Sequence, residues 1–230
     1  IILTGVNLGD FGKGISGAEN TETFTELVKA LEKVSGIARY RISSIEPNLL
    51  TNEIIELVAN SDRFMPHFHI PLQSGSNKIL ALMRRRYKKE LYADRVHLIK
   101  TLMPHCAIGV DVIVGFPGEM VADFNETLAF LQDLDISYLH VFTYSERDNT
   151  KALEIQPVIP VNTRLERNKT LRNLSYMKMQ YFTRQHVGQT RKVLFEKGAG
   201  SMMEGYTDNY IRITAPRQPD FINNIVDWTI

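Results

Sequence analysis

Residues able to hold a small polar ligand gather at the ends of five apolar segments. They are Thr4-Gly5, Ser43-Ser44-Ile45-Glu46-Pro47, Pro71-Leu72-Gln73-Ser74-Gly75-Ser76, Gly115-Phe116-Pro117-Gly118-Glu119 and Tyr144-Ser145-Glu146-Arg147-Asp148. The fourth is the most telling, because Asp111 to Glu119 reads DVIVGFPGE. A near-continuous Val/Ile run is the mark of a strand buried on both faces, as in parallel sheets. The glycines that follow remove side chains where a ligand could approach the backbone. Glu46, Asp111 and Glu119 are acids near these ends, yet no two of them have a clear acid/base logic, and no Ser-His-Asp order is evident. Side chains this ordinary do not perform difficult chemistry unaided, so a cofactor is expected to supply it.

Three other constellations are weaker. Gly9-Asp10-Phe11-Gly12-Lys13-Gly14 suggests a phosphate loop, but Asn7 and Gly14 stand where that pattern needs a glycine and a Ser or Thr. His67 and His69, two apart on a strand, could clasp a metal ion, but no third ligand follows at a matching spacing. They are read as cavity-lining histidines, and no metal site is assigned. Arg84-Arg85-Arg86-Tyr87-Lys88-Lys89 suits a phosphate backbone or a substrate carboxylate as well as it suits solvent.

The elements that must position these residues alternate. Strands are expected at Ile1–Gly5, Arg39–Ile45, His67–Gln73, Ile108–Gly115 and Tyr138–Tyr144, with helices between them. Thr23-Phe-Thr-Glu26 is a capping box opening the first helix. Others fit Leu50–Val58, Lys78–Met83, Leu91–Leu102 and Asp123–Leu134. Such alternation means βαβ units, a parallel sheet and a barrel, complete or partial, with all strand ends on one rim. Period-two alternation points Gln73, Pro71, His69 and His67 inward and Phe68, Ile70 and Leu72 toward the helices. Asp111, Ile113 and Gly115 share one face, as do His140, Phe142 and Tyr144.

Beyond Pro157 and Pro160 the pattern changes. Thr163-Arg-Leu-Glu166 reads as a second capping box, starting a helix with an apolar stripe of Leu171, Leu174, Met177 and Tyr181. Residues 161–186 carry six Lys/Arg against one acid, while 187–230 hold five of each sign and 1–160 hold 16 basic and 20 acidic groups. A basic helix suits an anionic partner, and it equally suits a solvated face. Short β-rich pieces after Gly188 are expected to form a small, five-stranded barrel of a kind that commonly binds nucleic acid. The organisation expected is therefore a barrel over 1–160, a connecting helix over 161–186 and a β domain over 187–230. Cys106 is the single cysteine, which excludes an internal disulfide and a Cys-rich metal site. No apolar run approaches the roughly 20 residues of a membrane span, and a cytoplasmic setting is the default. The opening Ile1-Ile2-Leu3-Thr4-Gly5, without Met, reads as the inside of a strand, so a longer parent protein is expected. An unpaired edge there invites self-association.

Taken together, His67–Ser76, Met83-Arg84-Arg85, Asp111–Glu119, Phe142–Arg147 and Leu3–Gly12 resemble the radical S-adenosylmethionine methylthiotransferases along the whole chain. Arg41–Pro47, Tyr138–Phe142 and Gly205–Arg212 look most like the MtaB-like branch, which methylthiolates threonylcarbamoyladenosine beside the tRNA anticodon. Related branches act on isopentenyladenosine in tRNA or on an aspartate of a ribosomal protein; an RNA-binding module without catalysis is the reading from another class. The resemblance implies an α/β fold, a partial parallel radical-SAM barrel followed by the basic helix and a small all-β TRAM barrel. It implies S-adenosylmethionine held by Ser44, Glu46, Gln73, Ser74, Asp111, Ile113 and Gly115, and tRNA contacts from Arg84, Arg85, Arg191, Lys192, Tyr206, Tyr210 and Arg212. Complete family members carry two 4Fe–4S clusters. The family's Cys-x3-Cys-x2-Cys loop is absent here, so these residues are expected to bind neither cluster and to be inactive alone. No sulfur donor is implied.

Overall fold

The computed structural model describes residues 1–5, 7–12, 22–196, 198 and 200–230. Val6 of the Leu3–Gly12 motif and Lys13-Gly14 of the glycine-rich stretch lie outside the described residues. All five expected strands form. β1 (Ile2–Leu3) pairs in parallel with β2 (Arg41–Ile42), and β3 (His67–His69), β4 (Ala107–Val114) and β5 (Tyr138–Thr143) form a second parallel sheet in that order. Parallel bridges Tyr40↔Phe64 and Ser44↔His69 join the two sheets, so the strands succeed one another in chain order. The result is a curved half-barrel.

Helices α1 (Phe24–Glu32), α2 (Asn52–Ala59), α3 (Asn77–Leu82), α4 (Lys89–Leu102) and α5 (Val121–Asp133) follow the strands in turn. The α1 capping box forms as expected: Thr23 N–H donates to Glu26 Oε2 at 2.6 Å, and Glu26 N–H donates to Thr23 Oγ1 at 3.2 Å. The outward residues Phe68, Ile70 and Leu72 are fully buried in one apolar core with Tyr92, Val96 and Ile99 of α4 and Val110, Val112 and Val114 of β4. Tyr92 and Tyr87 insert their rings there and donate their hydroxyls to the carbonyls of Ile70 and of Pro71 and Leu72. Cys106 is buried too, and burial pushes its thiol up to about 12.

The long helix α6 (Val161–Arg184) departs from the sequence reading in two ways. Its N-cap is Pro160, without a side-chain cap, so Thr163 and Glu166 lie inside the first turns rather than forming a capping box. Its inner stripe is Arg164, Arg167, Leu171, Leu174 and Phe182, while Met177 and Tyr181 are exposed. The helical period carried from Arg167 through Leu171 and Leu174 arrives at Lys178 and Phe182, about 100° away from Met177 and Tyr181. Lys178 donates to the carbonyls of Gln132 and Leu134 at the end of α5, a favoured place for a cation. Polar side chains of α6 also satisfy the free side of β5. Ser175 Oγ accepts from Leu139 N–H and donates to Leu139 O, and Asn168 donates to Val141 O. One sheet edge is thereby covered. The opposite edge, at β1, has no further strand partner among the described residues, and Ile1 and Ile2 are exposed.

The C-terminal residues form four antiparallel strands instead of a five-stranded barrel. They are β6 (Thr190–Glu196), β7 (Met202–Thr207), β8 (Arg212–Pro216) and β9 (Ile225–Thr229), in the order β8-β7-β6-β9. Tyr210 sits in the turn before β8 with φ 69°. Val193, Phe195, Met203 and Ile213 bury one face of this sheet together with Phe182 of α6 and Ala107 of β4. Asn209, fully buried, pins the unit: it donates to His105 O at 3.0 Å and lies 3.0 Å from His186 Nε2. His186 Nδ1 is 2.8 Å from Phe182 O, so one neutral tautomer satisfies both contacts, and burial lowers its pKa accordingly. Asn209→Ala should cost about 1–3 kcal/mol by leaving these buried groups unmatched. A urea midpoint unchanged from the native chain would refute this.

Candidate functional site

The DVIVGFPGE segment is a strand and turn held from behind. Gly115 and Gly118 have φ of 74° and 83°, a left-handed conformation that favours glycine. Glu119, fully buried, accepts from Gly115 N–H at 2.7 Å and from Arg167 Nη1 at 2.5 Å, and the same guanidinium nitrogen donates to Glu119 O at 2.9 Å. Burial pushes the Glu119 carboxyl up, and the Gly115 N–H and Arg167 hold part of that rise back. Arg164 fixes the neighbouring loop, donating to Ile159 O, Tyr144 O and Glu146 Oε1. A Cβ on Gly115 would lie 2.3 Å from Arg164 Cγ. The missing side chain therefore makes room for Arg164 rather than for a ligand. Two of the six cations of the basic segment are thus internal struts.

In front of this turn lies a cavity of about 1250 Å³ at the C-terminal strand ends, lined among others by Gln73, Asp111, Ile113, Phe116 and Tyr144. Gln73 reaches it because its backbone, at φ 71°, bonds to β4 on both sides: its N–H donates to Asp111 O and its carbonyl accepts from Ile113 N–H. Glu46 accepts from Arg85 Nη1 at 2.9 Å, and Arg84, Arg85 and Arg147 also line the cavity. Arg85 Nε and the Tyr144 hydroxyl are buried there without a hydrogen-bond partner among the described residues. Ser44 Oγ lies 3.5 Å from His69 Nδ1, and His69 Nε2 lies 2.8 Å from Asp111 Oδ1. Ser44, Glu46, Ser74 and Gly115 take no part in the lining. Ser74 Oγ is 3.2 Å from Thr127 Oγ1 of α5, and a Cβ on Gly75 would sit 2.8 Å from Thr127 Cα, so this loop is packed onto α5.

The other end of the lumen is lined by aromatic rings. Tyr210 stacks on Tyr206 with centroids 4.8 Å apart, lies 4.2 Å from the His67 ring, and has the Arg41 guanidinium 4.5 Å over its face. His67 Nε2 is 2.8 Å from the Tyr138 hydroxyl, and burial, then nearby Arg41, lowers its pKa well below the ordinary value. Of the residues expected to meet tRNA, Arg191 is held bidentately by Asp208, Lys192 pairs with Asp227, and Arg212 pairs with Glu204. Arg84 and Arg85 sit at the upper rim, whereas Tyr206 and Tyr210 line the lower cavity. The two groups face opposite ends of the barrel. Sequence reading placed Arg41 and Arg147 within motifs but gave neither a contact of its own; the grouping of His69, Asp111 and His140 was missed, because its members lie on three strands.

Arg167→Ala should destabilise the chain by about 3–5 kcal/mol, since it leaves the buried Glu119 unpaired. Arg167→Met combined with Glu119→Gln should recover most of that loss in denaturant titrations; equal instability of both variants would contradict the clamp.

Comparison with known proteins follows the same lines. The model of the Radical SAM superfamily matches residues 10–131. The threonylcarbamoyladenosine tRNA methylthiotransferase MtaB of Bacillus subtilis is 38% identical over 232 residues, covering 98% of this chain and 51% of that protein. A tRNA-2-methylthio-N(6)-dimethylallyladenosine synthase of Pelotomaculum thermopropionicum is 32% identical over 234 residues, covering 100% of this chain and 51% of that protein. The chain spans about half the length of these curated relatives. Among solved structures, the Escherichia coli coproporphyrinogen III oxidase HemN aligns with TM-score 0.49 and 15% identity, over 70% of this chain and 36% of that one.

Proposed function

The chain belongs to the Radical SAM superfamily, and on that premise we propose that it is the barrel and C-terminal part of a tRNA methylthiotransferase acting on threonylcarbamoyladenosine. The observation that carries this reading is the upper cavity. It lies at the strand ends where α/β barrels place their chemistry, and it presents unmatched buried polar atoms, Arg85 Nε and the Tyr144 hydroxyl. These fit S-adenosylmethionine, which has an apolar-faced adenine, ribose hydroxyls and a carboxylate. Ile113 and Phe116 would pack on the ring, Gln73 and Asp111 would meet polar edges, and Arg85, oriented by Glu46, would meet an oxygen. Ser44 acts through His69, while Ser74 and Gly115 shape the wall from behind. S-adenosylmethionine would supply radical chemistry at the adenine ring of the nucleoside only with an electron from elsewhere in a complete enzyme; the residues of this chain would bind and orient it.

The residues present do not fit an iron–sulfur cluster. Such clusters are held by several thiolates, and the chain has one cysteine, buried and held protonated. No step is routed through a cluster here. Arg84 and Arg147 at the upper rim, whose guanidinium groups have no hydrogen-bond or ion-pair partner among the described residues, suit the phosphates around the target nucleoside. The four-stranded C-terminal unit is read as TRAM-like. No described helix is long and apolar enough to cross a membrane, and a tRNA substrate makes the cytoplasm the setting.

Calorimetry with S-adenosylmethionine tests the cavity. Gln73→Ala should weaken binding about tenfold, the loss of one hydrogen bond; a native chain that binds no S-adenosylmethionine would overturn the assignment. Binding of tRNA should weaken with salt, and Arg84→Ala should reduce the logarithmic salt slope by about 1. An unchanged slope would remove Arg84 from the interface.

A further inference from the structure

The lumen also holds a cluster of three metal-ligating side chains, one of which, Asp111, is shared with the proposed S-adenosylmethionine site. We propose that His69, Asp111 and His140 form a site for a single divalent transition-metal ion of the zinc or iron(II) class, with one position left open toward the lumen.

The three side chains come from three adjacent strands and point to one side. Asp111 of β4 is in register with His140 of β5, and His69 of β3 is in register with Gly109, two residues before Asp111. Each offers one donor atom, and the three lie within 4.8 Å of one another. The two imidazole rings have centroids 5.3 Å apart. Two imidazoles sharing a tetrahedral ion at metal–nitrogen distances of about 2.0–2.1 Å have ring centroids about 5 Å apart. The rings are therefore already spaced for a common ion.

The remaining adjustments are small. Ligand atoms on such an ion are about 3.3 Å apart. The 2.8 Å His69–Asp111 contact must open by about half an ångström, and the widest separation must close by at most about 1.5 Å. His140 is exposed, and among the described residues its ring meets the rings of His69 and Tyr138 and makes no hydrogen bond that such a movement would break.

The surroundings orient the donors. Ser44 Oγ stands 3.5 Å from His69 Nδ1, on the side where metal-bound histidines commonly give their second N–H to an oxygen. With Nδ1 protonated, Nε2 presents a lone pair to the Asp111 carboxylate at 2.8 Å. Without an ion, Nε2–H can donate to Asp111 at this distance; a bound ion would take the place of that proton. His67 does not belong to the set: its Nε2 faces the Tyr138 hydroxyl, and its donor atoms do not group with those of His69, Asp111 and His140.

The donor chemistry selects the class of ion. Two imidazoles and one carboxylate suit zinc or non-haem iron(II), whereas magnesium and calcium prefer oxygen ligands throughout. Asp111 lines the upper cavity, and His69 and His140 line a lower one of about 290 Å³. A fourth ligand, water or a small anion, can therefore reach the ion.

The test is zinc and cobalt(II) titration of the chelator-treated 230-residue chain. Zinc should be retained at about one equivalent after gel filtration, and cobalt(II) should give the visible absorption of a tetrahedral site. His140→Ala should lower zinc affinity by about 100-fold and abolish the cobalt spectrum, and Ser44→Ala should lower affinity about tenfold, as loss of an orienting partner does. His97→Ala, on the exposed face of α4, should change neither. The proposal is overturned if native chain retains no more zinc than buffer carries over, or if His140→Ala retains as much as native. Because His140 is exposed, that variant is expected to fold, and circular dichroism verifies it.

Discussion

The contact between Arg167 and Glu119 is the constraint on which the rest of the site depends. It joins α6 to the turn after β4, with both partners buried. Removing two charges from water is costly, and a buried pair is a poor source of net stability. Its effect here is geometric. The carboxylate also takes the Gly115 N–H, so one side chain holds the turn's backbone and receives the helix. Arg164, one helical turn earlier, does the same for the segment after β5 through carbonyls of Ile159 and Tyr144. Two upper-rim loops are thereby set by one helix.

That helix also solves an edge problem. β5 would end the sheet with free backbone groups, and Ser175 and Asn168 supply the missing partners. Its far end carries Phe182 into the core of the C-terminal sheet. α6 is thus shared by rim, sheet edge and C-terminal unit. A basic composition that reads as an RNA-facing surface is in part an internal scaffold. The charges left outward, such as Lys169 and Arg172, remain available to an anionic partner.

Much of the half-barrel was legible because periodicity and turn chemistry are local. The five strands, the Thr23–Glu26 cap and the inward set of His67, His69 and Gln73 follow from period-two and period-3.6 patterns. The failures share a cause. The cap expected at Thr163–Glu166 and the stripe through Met177 and Tyr181 assume that a helix buries its apolar face, whereas α6 buries two arginines that have acceptors waiting on other segments. Ser74 and Gly115 had the right types for a ligand wall, but Thr127 and Arg164 occupy the space beside them.

Residue order alone established the parallel alternation of strand and helix, the shared rim and the resemblance that named a cofactor, since each is written in contiguous residues. Tertiary structure alone decided which rim residues face the cavity, because that depends on packing partners 40 or more positions away, such as Arg167 for Glu119 and Asp111 for His69. It also set Arg84 and Tyr210 at opposite ends of the lumen and brought His140 beside His69 and Asp111. Strand register places such residues side by side, and no spacing along the chain encodes it.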